Sequence, residues 1–286
     1  MQEEGLLLSL CHQIADWIYP HPCERCGERT LSRYCLCESC LSLLETLPRP
    51  LCPHCGGPVS GSVATIEHCE NCGNGEQGQG KGQGQGQGGY HFDFARAPFA
   101  NVGKVRELIL AFKYGGALHL AKTLAWLMSD MWEQYPDCLN GRDWCLVPIP
   151  MHHKKRAKRG YNQADELASA LGKLLKLPVI HALTRNSDLV SQASLDRKER
   201  LKHVRLLYGM NQSCQRRGAL SGKNVLLIDD ILTTGSTADA CARILKKEAK
   251  VQTVGVLTVA RTIPWAFRSE VAKNEMSLDH AKSEID

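Results

Sequence analysis

Two adjacent carboxylates and a run of hydroxyl side chains lie close together in residues 225–237, VLLIDDILTTGST. Asp229 and Asp230 follow four apolar residues, a pattern typical of a strand buried on both faces. In open α/β sheets, ligands bind just outside the carboxyl ends of the strands. A pair of carboxylates at such a position suits a vicinal diol and its Mg²⁺ ion, because both favour anionic oxygen ligands. We therefore predict a site for a diol and magnesium at this acidic pair.

The residues that follow the acidic pair have the properties of a phosphate-binding turn. Thr233, Thr234, Gly235, Ser236 and Thr237 lead into a predicted helix over residues 236–248. Hydroxyl groups, consecutive backbone amides and a helix N-terminus together favour a bound phosphate, and a glycine lets the backbone approach it closely. The alternative is an ordinary strand–turn–helix connection in which Ser and Thr only cap the helix.

A basic segment follows a predicted strand over residues 144–149. Residues 154–159, KKRAKR, carry five positive charges within six positions. Such a run is usually a solvated loop, but near a diphosphate it would stabilise the negative charge that develops on a leaving pyrophosphate. We predict Arg156 and Arg159 as diphosphate ligands. Together with Lys198, Arg200, Lys202 and Arg205, the segment could instead follow a nucleic-acid backbone.

Eight cysteines form four Cys-x-x-Cys pairs near the start of the chain. Four thiolates bind one Zn²⁺ tetrahedrally and leave no open position for water, so the pattern predicts two structural zinc sites rather than a catalytic one. Sequential pairing of the motifs is preferred, and interleaved pairing stays open. Cys35, His21, His54 and His68 are spare ligands, and reduced core cysteines are the alternative. The predicted ligands are Cys23, Cys26, Cys37, Cys40, Cys52, Cys55, Cys69 and Cys72.

Composition limits the class of protein. The chain has 286 residues, a formal charge of +5 and an acidic start, MQEEG, where a secretory signal would be basic. The apolar run over residues 6–10 is far shorter than the roughly 20 residues that span a bilayer. We therefore expect a cytoplasmic protein without membrane insertion. Because cytosolic thiols stay reduced, the fourteen cysteines are interpreted as metal ligands or core residues before disulfides.

Changes in composition along the chain predict five segments. An amphipathic N-terminal helix within residues 1–22 precedes a cysteine-rich domain over 23–73 and a Gly/Gln linker over 74–90. Residues 91–262 alternate helical and strand patterns, which implies parallel βαβ units. Residues 263–286 form a polar tail. Predicted helices cover 102–112, 118–132, 161–175, 195–204 and 236–248, and predicted strands cover 144–149, 224–228 and 251–259.

The thirteen residues 225–237 resemble the signature of type I phosphoribosyltransferases. The resemblance implies that Asp229 and Asp230 hold the ribose hydroxyls of 5-phosphoribosyl diphosphate (PRPP) with Mg²⁺. It also implies a fold with a mostly parallel sheet flanked by helices. By position, the 5′-phosphate would be held by the backbone and hydroxyl groups of Leu232, Thr233, Thr234, Gly235, Ser236 and Thr237.

The whole chain is more narrowly similar to the ComF/GntX family, whose members join a cysteine zinc module to a phosphoribosyltransferase domain. Besides the cysteine pairs and the acidic segment, the matching pieces are FKYGG at 112–116, VPIP at 147–150, RGYNQ at 159–163, SQA at 191–193 and RKER at 197–200. The Gly/Gln tract and His203, where an asparagine is expected, depart from the family pattern. The resemblance implies a link to DNA uptake in natural competence, to DNA utilisation or to gluconate use.

Two classes of function remain open at this point. The intact acidic pair favours an enzyme that transfers phosphoribose from PRPP to an amine or a base, or the reverse. The basic segments and zinc knuckles favour a binding module that takes PRPP or single-stranded DNA and contacts competence proteins such as a helicase. No residue in the sequence identifies an acceptor.

Overall fold

The computed structural model describes residues 21–32, 35–60, 69, 72, 89–134, 143–185, 207–268 and 271. Most of the predicted N-terminal helix, Gly/Gln linker and polar tail lies outside these residues. The predicted helix over 195–204, with His203, and the SQA motif also lie outside them.

The cysteine-rich part contains short elements only. A two-stranded antiparallel ribbon joins β1 (His21–Pro22) to β2 (Arg29–Thr30). A short helix, α1 (Glu38–Ser42), follows it.

The α/β part alternates strands and helices along the chain, as the sequence pattern predicts. Its strands are β3 (Phe94–Arg96), β4 (Phe99–Ala100), β5 (Trp144–Pro148), β6 (Leu183–Arg185), β7 (Tyr208–Met210), β8 (Asn224–Leu232) and β9 (Thr253–Arg261). Its helices are α2 (Gly103–Tyr114), α3 (Leu120–Gln134), α4 (His153–Arg159), α5 (Gln163–Leu175), α6 (Gln212–Arg216) and α7 (Ser236–Glu248).

The central sheet is parallel. Its strand order is β3-β9-β8-β5, and β4 also pairs with β9. Side chains of β8 alternate between the two faces: Leu226 and Ile228 enter one hydrophobic cluster, and Val225 and Leu227 enter the other. This alternation follows from the two-residue period of a strand and explains why all four positions are apolar.

Each face of the sheet is covered by its own elements. Apolar residues of α2, α3 and α5 fill the cluster on one face. Residues of α7 and of the β6–β7 ribbon fill the cluster on the other. The result is a three-layer architecture with the parallel sheet in the middle, and β9 and β8 are its two inner strands.

The predicted end of β8 was wrong, because the strand continues past Ile228 to Leu232. Its pairing with β9 extends through Asp229, Ile231 and Leu232, so the acidic pair lies within the strand. On the other side, β5 ends at Pro148, which is paired with Ile228. Among the described residues, β8 therefore projects beyond its neighbour β5 at the position of the two acids.

No helix in the described part of the chain is both long enough and apolar enough to cross a membrane.

Candidate functional site

The acidic pair lies where β8 projects beyond β5. Asp230 is buried, with 8% of its surface exposed, and its Oδ2 lies 2.9 Å from Lys113 Nζ. Asp229 Oδ1 accepts a hydrogen bond from the Asp230 amide at 2.9 Å. The two carboxylates thus lie on consecutive residues shortly before the end of β8, and Asp230 forms an ion pair.

Asp229 has an unusual protonation equilibrium. Burial, and then the neighbouring charge of Asp230, raise the pKa of the Asp229 carboxyl to about 7. The Asp230 amide, Lys113 and Arg185 act in the opposite direction. A carboxyl group with a pKa near neutrality changes charge easily, and such groups are concentrated at functional sites.

The hydroxyl-rich turn has the geometry of an anion-binding loop. Gly235 adopts φ +76°, a left-handed conformation, and directly precedes the first residue of α7. Thr234 Oγ1 and Ser236 Oγ lie 3.0 Å apart. The first amides of a helix have no acceptor within the helix, so the start of the 13-residue α7 directs N–H groups into this turn. Leu232 is buried and offers only its backbone.

Motifs distant in sequence converge beside the acids. Lys113 of the FKYGG motif reaches Asp230, and the Tyr161 hydroxyl of the RGYNQ motif donates to the Phe112 carbonyl. Asn162 Nδ2 donates to the Ile149 carbonyl of the VPIP motif at 3.1 Å. These three pieces therefore form one rim around the end of β8.

The basic segment forms the short helix α4 rather than a loop, and none of its side chains is buried. His152 caps it by accepting a hydrogen bond from the Lys154 amide. The Arg159 guanidinium lies 4.7 Å above the Tyr114 ring, next to Lys113, whereas Arg156 is exposed on the same helix. Of the two predicted diphosphate ligands, Arg159 is thus the one that contacts the rim.

Sequence reasoning missed two cations of the site. Lys113 stands within the FKYGG motif, which was the available signal, but the motif alone assigns it no partner. Arg185 ends β6, and its guanidinium lies 5.3 Å from the centre of the Tyr208 ring. Its charge lowers the pKa of the Asp229 carboxyl, although burial outweighs it. No local pattern marks Arg185 as a site residue.

The predicted cysteine ligands form two clusters with sequential pairing. All the ligand sulfurs within each cluster lie within 4.8 Å of one another. Sγ–Sγ distances are 3.6 Å for Cys26–Cys37, 3.7 Å for Cys52–Cys72 and 3.4 Å for Cys55–Cys69. Four sulfurs at the usual ~2.3 Å from a tetrahedral Zn²⁺ would lie about 3.8 Å apart. The donor sets therefore fit two structural zinc ions, and interleaved pairing is excluded.

The same backbone turn recurs in both clusters. The Gly27 amide donates to Cys23 O and the Gly56 amide to Cys52 O, with φ values of +75° and +67° at the two glycines. Positive φ values at both glycines are typical of a zinc-knuckle turn. The spare ligands Cys35, His21 and His54 belong to neither cluster, and His68 lies outside the described residues.

Comparison with known families agrees with this geometry. A family model described as double zinc ribbon domain matches residues 14–73. A second model, the phosphoribosyl transferase domain, matches residues 157–279.

Several curated relatives align with this chain. Competence protein ComFC of Bacillus subtilis is 28% identical over 228 residues, 79% of this chain and 84% of the relative. Competence protein F of Haemophilus influenzae is 25% identical over 231 residues, 79% of this chain and 90% of the relative. The DNA utilization protein YhgH of Escherichia coli O157:H7 is 26% identical over 119 residues, 41% of this chain and 49% of the relative.

Among solved structures, a hypoxanthine phosphoribosyltransferase from Staphylococcus aureus overlaps 51% of this chain and 75% of its own, at 15% identity and a TM-score of 0.27. A score this low adds nothing to the fold assignment. That assignment depends on the parallel sheet, the two cysteine clusters and the matched domains. This chain thus joins a double zinc ribbon to a phosphoribosyl transferase domain and is similar to competence proteins over 79% of its length, which confirms the resemblance to the ComF/GntX family.

Proposed function

We propose that this protein binds PRPP, or another ribose 5-phosphate, together with Mg²⁺ at the end of β8, and that it acts in DNA uptake or utilisation. The observation that supports the ligand most directly is the position of the acidic pair. Asp229 and Asp230 lie shortly before the left-handed Gly235 turn, and the start of α7 follows at once. Carboxylates for a diol and a backbone cradle for a phosphate are thus adjacent.

Each part of the ligand has residues of suitable chemistry. The two carboxylates would accept hydrogen bonds from the ribose hydroxyls, and Thr233–Thr237 would hold the 5′-phosphate through hydroxyl and amide groups. Mg²⁺, when bound with PRPP, would neutralise the diphosphate. Arg159 and Arg156 of α4 would add positive charge on the side where VPIP and RGYNQ meet.

Lys113 would change its role when the ligand binds. In the absence of ligand its ammonium group compensates the buried Asp230 carboxylate at 2.9 Å. A ribose hydroxyl or a cation that approaches Asp230 would share that carboxylate with Lys113. Lys113 therefore compensates the negative charge of Asp230 before the ligand binds, so the ligand does not approach two uncompensated carboxylates.

The ligand proposal is tested by thermal unfolding with PRPP and Mg²⁺. At a ligand concentration about 100 times Kd, we expect stabilisation near ~2.7 kcal/mol for the wild-type protein. Asp230→Asn should lose most of it, whereas the exposed Glu107→Gln should retain it. Absence of any shift with PRPP and with ribose 5-phosphate in the wild-type protein would refute the proposal. Product analysis of PRPP with candidate amine and base acceptors then determines whether the bound ligand is also consumed.

A second function, binding of single-stranded DNA, is supported by the exposed cations of α4. Five cationic side chains lie on this seven-residue helix and none of its residues is buried. The name of the YhgH relative refers to DNA utilization. Contacts with phosphates would make the affinity fall steeply with salt, by about 0.7 in log–log slope for each contact with a single strand.

The DNA proposal has a charge-matched control. Replacing Lys154, Lys155 and Lys158 by glutamine should weaken binding of a single-stranded oligonucleotide and reduce its salt slope. Replacing the exposed Lys122, Lys173 and Lys247 by glutamine removes the same charge elsewhere and should change binding far less. Equal effects of the two triple variants would show that only net charge matters and would exclude a site on α4.

A further inference from the structure

Tyr90 links the second cysteine cluster (Cys52, Cys55, Cys69 and Cys72) to the turn over residues 233–237, which we call the phosphate turn. All four of its cysteines are buried, with at most 8% of their surface exposed. Tyr90 packs against these cysteines and also against the hydrophobic cluster beneath α7. One side chain thus contacts both the zinc-ligand set and the packing that supports the turn.

Tyr90 contacts the phosphate turn in two ways. Its hydroxyl donates a hydrogen bond to the Thr234 carbonyl at 3.0 Å. Its ring lies against Gly235, where a Cβ atom would come within 3.2 Å of Tyr90 Cε1. The ring therefore packs directly on the left-handed residue of the turn, and the hydroxyl holds the carbonyl that precedes it.

His91, the next residue, holds the other side of the turn. Its amide donates to Asp239 Oδ1 at 2.6 Å, and its Nδ1 lies 2.8 Å from the same oxygen. Asp239 belongs to the first turn of α7. Two consecutive residues, Tyr90 and His91, thus contact Thr234 before Gly235 and Asp239 after it.

A stack of aromatic rings connects Tyr90 to the knuckle turn of the second cluster, residues 52–56, which we call the knuckle. The Tyr90 and Phe92 ring centres are 4.6 Å apart, and Phe92 is 5.5 Å from His54. His54 lies in the turn between Cys52 and Cys55, and its carbonyl accepts from the Ala95 amide at 2.7 Å.

Arg261, at the end of β9, adds a second link to the knuckle. Its Nη1 donates to the Cys55 carbonyl at 2.6 Å. The knuckle, the ring stack and the sheet are therefore connected by several independent contacts, and a displacement of the knuckle would be transmitted to Tyr90.

We propose that Tyr90 is a positioning residue that couples zinc binding at the second cluster to phosphate binding at the Gly235 turn. The inference rests on the proposed ribose 5-phosphate site. With zinc bound, the knuckle holds His54 and the ring stack, and Tyr90 holds the turn in the conformation that exposes its amides to an anion. Coupling of this kind is reciprocal: a phosphate ligand raises the zinc affinity of the second cluster by the factor by which zinc raises phosphate affinity.

The test is an equilibrium competition for zinc between the full-length protein and a chromogenic chelator, with and without ribose 5-phosphate. We expect saturating ribose 5-phosphate to raise the zinc affinity of one site by about fivefold or more, the lower end of typical couplings. The first cluster is an internal control and should not respond. A Cys26→Ser variant, which weakens only the first cluster, identifies which zinc ion is which.

Two variants of Tyr90 separate its contacts. Tyr90→Phe keeps the ring stack but removes the hydrogen bond to Thr234, so part of the coupling should remain. Tyr90→Ala removes both contacts and should reduce the effect of ribose 5-phosphate on zinc affinity to less than about twofold. Hydrogen exchange of the amides of residues 233–239 should be faster in Tyr90→Ala without any ligand, while the interior of β8 should exchange as in the wild-type protein.

The outcomes distinguish this inference from the proposed function. If calorimetry shows that ribose 5-phosphate binds the wild-type protein but neither zinc affinity changes, the coupling is refuted and the ligand site stands. If ribose 5-phosphate does not bind, the ligand site is refuted. In that case the exchange data decide on Tyr90: faster exchange of the turn in Tyr90→Ala supports the positioning role, and unchanged exchange overturns it.

Discussion

At the scale of single residues, the site contains an unfavourable electrostatic interaction between Asp229 and Asp230. Asp229 is a half-buried carboxyl group beside a second carboxylate, and its pKa rises to about 7. A purely structural position would favour an uncharged side chain here. Functional groups often reduce stability in this way, because the arrangement that suits a ligand is strained without it.

This interaction predicts that Asp229→Asn stabilises the ligand-free protein. The folded-state pKa is raised, so between about pH 4 and pH 7 the folded protein retains a proton that the unfolded chain releases. The contribution of the Asp229 carboxyl to the free energy of unfolding therefore falls as pH rises from about 4 to 7. Each unit of pKa difference is worth about 1.4 kcal/mol, which sets an upper bound of roughly 4 kcal/mol for this rise. Because Asp229 is only half-buried, we expect the variant to gain roughly 1–3 kcal/mol in unfolding free energy at pH 8.

The measurement is urea unfolding of both proteins at pH 5 and pH 8. The gain should be larger at pH 8, and the variant should no longer respond to PRPP with Mg²⁺. The exposed Glu107→Gln is the control and should show no such pH dependence. A variant that is less stable than the wild-type protein at pH 8 would contradict the raised pKa.

A second residue-scale prediction concerns Lys113. Replacement by methionine keeps the aliphatic stem but leaves the buried Asp230 carboxylate without its cation at 2.9 Å. Loss of one member of a buried pair is costly, so we expect a loss of about 1–3 kcal/mol in unfolding free energy, allowing for partial exposure of the pair. Lys104→Met removes the more exposed Lys104–Glu107 pair and should cost about 0.5 kcal/mol or less. Similar losses in the two variants would refute a structural role for the Lys113–Asp230 pair.

At the scale of elements, the turn over residues 233–237 depends on one glycine. Gly235 adopts φ +76°, and a Cβ atom there would meet the Tyr90 ring at 3.2 Å. Gly222 adopts a similar φ of +71°, but a Cβ atom there would meet nothing within 4 Å. A comparison of the two glycines therefore separates backbone strain from steric contact.

We predict that Gly235→Ala reduces both the unfolding free energy and the ligand affinity more than Gly222→Ala does. Both should lose about 1–2 kcal/mol in unfolding free energy from the left-handed conformation. Gly235→Ala should lose more because Tyr90 must move, and its affinity for ribose 5-phosphate should fall at least tenfold, whereas Gly222→Ala should bind normally. Denaturant unfolding and calorimetric titration measure the two effects. Equal ligand affinities would show that the turn does not contact the phosphate.

At the scale of the whole molecule, the zinc ribbons and the α/β sheet share packing. Leu36 and Leu44 of the cysteine-rich part lie in the same hydrophobic cluster as Ile109 and Phe112 of α2. Glu45, which is buried, accepts hydrogen bonds from the amides of Lys104 and Val105 at 2.6 and 3.0 Å. The start of α2 is thus capped by a residue from the zinc ribbon part.

This shared packing predicts that Glu45→Ala destabilises the protein, although Glu45 is neither a cysteine ligand nor part of the proposed ligand site. Two amides at the start of α2 would lose their acceptor, and a carboxylate would be lost from a helix N-terminus, so we expect a loss of about 1–3 kcal/mol. Glu38→Ala, at an exposed position in the first turn of α1, should cost about 0.5 kcal/mol or less. Thermal unfolding measures the two losses of stability, and elemental analysis checks that both variants keep their zinc. An unchanged stability of Glu45→Ala would show that α2 does not need this cap.

The sequence by itself determined the features whose cause is local. The four apolar residues before Asp229 predict a buried strand, and α7 begins and ends where its pattern indicates. The spacing of the cysteine pairs predicts two four-sulfur clusters, because a Cys-x-x-Cys turn directs both sulfurs to one metal whatever the rest of the chain does.

Only the tertiary structure decided the contacts between distant segments. Sequential zinc pairing, the end of β8 at Leu232, the Lys113–Asp230 pair and the packing of Tyr90 all depend on which faces meet after folding. Tyr90 and Thr234 are 144 residues apart, and Glu45 and Lys104 are 59 apart. Local periodicity carries no information about such partners, since it reports which side of an element is apolar and not what packs against it.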